Sequence, residues 1–328
     1  MHIPDGFLDA KTALSAGAIA LGGLGFALHR AGRTLPPRRI PLMGLSASFI
    51  FAAQMLNFPV GVGTSGHLMG GVLAAVLLGP SPAVVVMAAV LIVQCLMFSD
   101  GGITALGANV FNMAIVGAVG GYAVYRAVCR FIPGLRGQLV GAAFGAWCST
   151  VLASVCCAGE LAMSGTAKAS IVLPAMVHIH MVIGVGEALI TALVLAAIAR
   201  TRPELLSGFE APIAAAPENE QANPIAGRPA FGMSFLIYGL LISLGLAIFV
   251  SPLASSAPDG LEKVAELIGF EHAAAENPVL ASPIPDYEMP GFSSAALATA
   301  VAGAAGTVVV FFLALLLARI LTPKASSV

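Results

Sequence analysis

The sequence predicts an all-α integral membrane protein, and three observations carry that prediction. Of its 328 residues, 58% are hydrophobic and only 9% are charged, against about 25% charged in an ordinary soluble domain. The apolar residues run in long blocks, and the mean hydropathy is +0.95. The basic residues then cluster between those blocks instead of spreading along the chain. Apolar surface on this scale must face lipid or other helices.

Crossing a bilayer takes about 20 mostly apolar residues. By that measure spans are expected near 12–29, 41–56, 67–79, 82–98, 105–128, 138–159 and 171–199, with two more near 231–253 and 294–320. The third is short, and "GPSP" barely divides it from the fourth. With the N-terminus outside, the inner loops and tail hold Arg30, Arg33, Arg38, Arg39, Arg126, Arg130, Arg136, Arg200, Arg202, Arg228, Arg319 and Lys324. The outer side keeps Lys11, Lys168 and Lys263. Twelve of fifteen basic residues therefore lie inside, which selects an N-out, C-in topology.

Composition also divides the chain. Residues 1–200 form a seven-span unit, and 201–230, rich in Pro, Ala and charge without helical period, read as a cytoplasmic linker. Residues 231–321 form a two-helix hairpin, and 322–328 a cytoplasmic tail. The hairpin's outer loop, 254–292, carries Asp259, Glu262, Glu266, Glu271, Glu276, Asp286 and Glu288 against one lysine. Within it, "PDGLEKVAELIGFE" predicts a short amphipathic helix. Asp259 and Glu262 have capping-box spacing, and Leu261, Val264, Leu267 and Ile268 make its apolar face. The five cysteines all lie in or beside apolar segments, so no structural disulfide is expected. The N-terminus lacks the basic leader of a signal peptide, so it is expected to stay on the mature protein.

That N-terminus, "MHIPDGFLD", raises the chemical question. A histidine one peptide bond from a free amine can close two chelate rings on one ion. The Met1 amine and the deprotonated His2 amide form a five-membered ring, and His2 Nδ1 adds a six-membered one. Three coplanar nitrogens leave a fourth equatorial position, which a distant imidazole can fill. His67, ending the glycine-rich "NFPVGVGTSGH", lies on the same outer side in this topology. Four nitrogens in a square plane suit Ni(II) or Cu(II), and less naturally Co(II). The amine must lose its proton, so binding should weaken as pH falls.

These residues carry a resemblance. "MHIPDGFLD", "NFPVGVGTSGHLMGG", "FSDGGITALGANVFNMAI" and "HIHMVIGVGEALIT" resemble, in order, the signature blocks of the CbiM/NikM family. Those proteins are substrate-binding (S) components of nickel and cobalt energy-coupling-factor (ECF) importers. The resemblance covers about residues 1–200. The segment 231–321 resembles the CbiN/NikN (PDGLE) accessory subunit, here fused. The resemblance implies a seven-helix S-component bundle in a bacterial plasma membrane, transporting Ni(II) or Co(II), with fusion favouring nickel. It implies Met1, His2 and His67 as metal ligands, and as partners a transmembrane coupling (T) subunit and paired ATPases. No nucleic-acid partner is expected.

Further polar residues stand in or near the spans. His180 and Glu187 point nearly the same way on one helix, with His178 opposite Glu187. Ionisable groups at such depth face a cavity or a partner, so His180 and Glu187 offer either a transit role or a polar network locking helices. Asn57, Asp100, Asn109 and Asn112 lie at or near outer span ends, where they could orient the claw or cap helices.

The function classes narrow accordingly. No lysine follows glycine (the four are preceded by Ala, Ala, Glu and Pro), so the chain has no phosphate-binding loop, and ATP hydrolysis would fall to another subunit. An intramembrane metallohydrolase fits poorly, because His178-x-His180 does not put both imidazoles on one helical face. A stand-alone secondary divalent-metal transporter or channel is the alternative, but no internal repeat is visible. The expectation is a transporter subunit rather than an enzyme.

Overall fold

A computed structural model describes residues 1–61, 63–207, 232–275 and 279–321. Of the expected linker 201–230, Thr201 ends the preceding helix and Glu204–Ser207 form a helical turn, against the expected lack of helical period, while 208–230 lie outside the described residues, as do Glu276 and the tail 322–328.

All nine apolar segments fold as helices. They are α1 (Ala10–Thr34), α2 (Ile40–Gln54), α3 (Gly71–Leu78), α4 (Pro80–Phe98), α5 (Leu106–Phe131), α6 (Gly134–Met163), α7 (Ala169–Thr201), α8 (Met233–Leu253) and, after α9 (Gly260–Ile268) in the outer loop, α10 (Ala295–Leu321). Seven of these are long and apolar enough to cross a membrane. The segments expected at 41–56 and 67–79 are not, because α2 has 15 residues and α3 only 8. At 1.5 Å per residue they rise about 22 and 12 Å, short of a core about 30 Å thick.

The reason is burial. Every residue of α3 is buried, and all but three of α2. Enclosed by other helices, neither needs a full lipid-facing length, and irregular backbone is tolerated there. A two-stranded antiparallel hairpin, β1 (Phe58–Gly61) and β2 (Thr64–Gly66), joins them. α3 runs back alongside α2, tied at both ends. Gln54 Nε2 donates to Met69 O (2.8 Å), and buried Arg39 donates through Nη1 to Leu77 O (2.8 Å).

Small residues set the helix packing. A side chain on Gly145 would strike Gly121 O at 2.6 Å, so α5 and α6 touch at their backbones. The small-residue run of α1 turns inward, with Ala16, Ala20, Ala27 and Ala31 buried while Leu14, Leu21 and Phe26 face out. The C-terminal hairpin docks on α2. Gly306 lies against Phe51, and Ser48 Oγ meets Ser243 Oγ at 3.3 Å.

The ends of the bundle differ in kind. Gly32 approaches Leu321 O at the end that also holds Arg39 and Leu77. At the other end the first nine residues pack beneath the loop after α8. There Asp259 caps α9 with the expected capping box. The apolar face of α9 differs from the expected one. Leu261, Val264 and Ala265 are buried, whereas Leu267 is exposed, since it lies on the far side of Val264, about 120° around the helix from Leu261 and 160° from Ala265.

Candidate metal site

The first residues do not wave free. Ile3 and Phe7 are buried, and the segment is held by its main chain. Ile3 N donates to Asn109 Oδ1 (2.8 Å), while Asn109 Nδ2 and Gly102 N both donate to Ile3 O (3.1 and 2.9 Å). Burial pushes the Asp5 carboxyl up, but its Oδ1 accepts from Thr104 N and Oγ1, and these bonds outweigh burial and leave Asp5 below its ordinary pKa. Asp9 then caps α1 through Thr12 N (3.0 Å). The "SDGG" block after α4 wraps this segment closely. A Cβ on Gly102 would fall 2.2 Å from Asp5 N, which is why that position is a glycine.

This clamp delivers Met1 and His2 to His67. Met1 N lies 3.1 Å from His67 Nε2, and the rings of His2 and His67 stack with centroids 5.3 Å apart. His67 is set by its own loop: Nδ1 donates to Leu68 O (3.1 Å), so the lone pair is on Nε2, facing Met1. Burial and the neighbouring ammonium and His2 push the His67 pKa down to about 3, so the ring is neutral near pH 7. Glu187, buried in α7, holds the same loop from below by accepting from Met69 N (2.5 Å) and Gly70 N (2.8 Å).

His2 differs in detail from the expected claw. Its Nδ1 lies 3.0 Å from Asp100 Oδ1, and its Nε2 lies 3.2 Å from Gln94 Oε1. Burial lowers the His2 pKa, against the pull of Asp100. Here an Nδ1–H donates to Asp100; moving the hydrogen to Nε2, where Gln94 Oε1 can accept it, would free the Nδ1 lone pair that a chelate needs. The His2 amide makes no hydrogen bond among the described residues. Nor do three His, Cys, Asp or Glu side chains gather there as an ion cluster. The imidazoles of His2 and His67 and the chain's own nitrogens are the donors at hand.

Two contacts come from the loop after α8. Asp259 pairs with the Met1 ammonium, while its Oδ1 accepts from Leu261 N and Glu262 N. Burial opposes the ammonium, yet Asp259 outweighs it and the Met1 pKa is raised. Burial likewise opposes the Asp259 carboxylate, but the ammonium and His67 bring its pKa well down. Tyr287 donates to Asp100 Oδ2 (2.6 Å) and stacks on Phe98 at 4.6 Å. Burial and Asp100 raise the Tyr287 pKa, so the phenol keeps its proton.

Of the residues singled out from the sequence, Met1, His2, His67, Asp100 and Asn109 therefore converge, and His180 lines the cavity beside them. Glu187 acts one step away through the His67 loop. Asn57 is apart, accepting through its carbonyl from Ser255 N (2.8 Å). His178 faces out from α7. Sequence reasoning missed Gln94, Asp259 as a partner of Met1, and Tyr287. A glutamine inside a 19-residue apolar helix was a usable signal for Gln94, whereas nothing local marks the other two.

Asn109→Ala is expected to leave the buried Ile3 amide without a partner and loosen the clamp while the bundle stays folded. Metal affinity, measured by isothermal titration, should drop about 10–100-fold, the usual cost of losing a residue that orients ligands.

Comparison with known proteins bears on what this site serves. Residues 2–205 match the CbiM family model, the cobalt uptake substrate-specific transmembrane region, and residues 233–323 match the PDGLE domain. A NikMN-type fused nickel transport protein of Archaeoglobus fulgidus is 38% identical over 97% of this chain and 98% of its own length. The fused nickel transport protein NikMN of Rhodobacter capsulatus is 35% identical over 66% of this chain and 67% of its own. The crystal structure of a truncated transition metal transporter superposes with a TM-score of 0.56 at 31% identity, covering 61% of this chain and 99% of that one.

Proposed function

The chain belongs to the CbiM family of cobalt uptake substrate-specific transmembrane proteins, and from that premise we propose how this nickel/cobalt transport protein holds its ion. The ion binds in a square plane made by the Met1 amine, the deprotonated His2 amide, His2 Nδ1 and His67 Nε2, at the outward-facing end of the bundle. The chain works as the substrate-binding component of an ECF-type importer. A transmembrane coupling subunit and paired ATPases supply the work, since this sequence has no phosphate-binding loop of its own. Nickel is favoured over cobalt, because both fused relatives above carry the name of nickel transport protein. The unit 1–200 carries the site, and the hairpin 231–321 closes over it through Asp259 and Tyr287.

The observation that carries this reading is the 3.1 Å approach of Met1 N to His67 Nε2, about the separation of neighbouring donors around one ion. An ion there takes the place of an ammonium proton. His2 Nδ1 joins the plane by exchanging Asp100 for the ion, while Gln94 keeps the ring's other nitrogen in place. The arginine-rich inner loops set the orientation.

His67→Ala tests the fourth ligand. It removes one equatorial nitrogen and leaves the N-terminal chelate, so the Ni(II) visible bands should shift toward a weaker ligand field. Affinity should fall by about tenfold or more, taking loss of one donor as at least ~1.4 kcal/mol. A Ni(II) spectrum identical to that of the native chain would place the fourth donor elsewhere.

A further inference from the structure

Beside the Met1–His67 pair lies a cavity of about 20 Å³, room for a single water-sized occupant. Its lining includes Met1, His67, Met69, Met113, His180 and Gly260. His180 is 1% exposed, and its Nδ1 donates to Met176 O (2.8 Å). That bond fixes the ring and the tautomer, leaving a bare lone pair on Nε2. Among the described residues this buried Nε2 has no hydrogen-bond partner. A buried acceptor without a donor is costly and calls for an explanation.

The surroundings narrow what it could accept. His180 sits eleven residues into α7, about 16 Å along the helix from Ala169. The loop after α8 forms the roof. A Cβ on Gly260 would fall 2.8 Å from His180 Nε2 and Cε1 and 2.7 Å from Ile183 Cδ1. The glycine next to Asp259 is thus what leaves space over the ring. An oriented imidazole beside methionine-lined walls suits a borderline or soft transition ion better than Mg(II) or Ca(II).

We propose that this cavity is a second position for the transported divalent transition ion, with His180 Nε2 as its imidazole donor. It is filled in alternation with the Met1–His2–His67 plane rather than together with it, since two divalent ions so close would repel. His180 accepts the ion as it leaves the plane, on the interior side of the roof held by Asp259 and Gly260. This inference rests on the square-planar reading above, because an ion must first arrive next to His67.

The test breaks the first position and looks for the second. The full chain carrying His2→Ala is titrated with Co(II), whose visible spectrum reports geometry. One Co(II) per chain is expected, bound at least tenfold more weakly than by the native chain, with a spectrum unlike the native one. Adding His180→Ala to His2→Ala should abolish that binding, and adding His180→Met, which restores a soft donor, should retain it. A His2→Ala variant that binds no ion, or one whose ion is indifferent to His180→Ala, overturns the proposal, and the cavity then holds water only. Failure of the square-planar reading shows separately, as native affinity and a native spectrum in the His2→Ala variant itself.

Discussion

Acetylating the Met1 amine is expected to weaken Ni(II) binding by at least about 100-fold, or ~2.7 kcal/mol. Acetylation keeps every side chain and both imidazoles. It turns the amine into an amide, so the five-membered ring shared with the His2 amide loses its free donor. No other nitrogen can slide into its place, because Ile3 is fastened on both its N–H and C=O by Asn109 and Gly102. Isothermal titration of the two chains, each with its first residue verified by mass, is the measurement. Equal affinities would remove the terminal amine from the site.

Asp259→Asn is expected to change the pH profile of binding in a particular way. Asparagine is as good an N-cap as aspartate, so α9 keeps its cap and only the charge is lost. The Met1 ammonium then feels burial without the carboxylate that raises its pKa, and it gives up its proton at lower pH. A divalent ion with one deprotonated amide brings a net charge of +1, the same as the ammonium it displaces. While the amine is protonated, then, Asp259 sees no net change on binding, and the two chains should bind alike. Once the amine is neutral, Asp259 faces a gain of positive charge, and its removal costs affinity.

Both profiles keep rising with pH, because binding always releases the His2 amide proton, and the amine adds a second proton only below its own pKa. The native chain should therefore keep the steeper slope to higher pH than the variant, and each pH unit between the two breaks is worth a factor of ten. Titrations from pH 6 to 10 would show this, and superimposable profiles would mean that Asp259 does not govern the amine. The result matters for the hairpin's role. A carboxylate 258 residues from Met1 would then decide at what pH the first residue is free to bind an ion.

Much of the bundle was legible in the sequence because lipid imposes a local rule. Each apolar run of sufficient length became a helix within a few residues of its expected ends. The capping box at Asp259 and Glu262 was readable because both partners lie within one turn. His180 and Glu187 were correctly placed on one buried face and His178 on the other, since helical geometry fixes that relation. The short helices were not legible. Hydropathy measures how apolar a segment is, not whether lipid or protein surrounds it, and α3 is as apolar as a true span while wholly enclosed.

By itself, then, the sequence determined the helical membrane architecture, and it placed an imidazole next to a terminal amine, because both depend on neighbours in the chain. Only the tertiary structure decided that Asn109 and Gly102 hold Ile3, that Met1 reaches His67, and that Asp259 and Tyr287 close over them from the far end. Those contacts join residues 66 to 258 positions apart. They are set by how whole helices pack, and no local pattern of residue types encodes that.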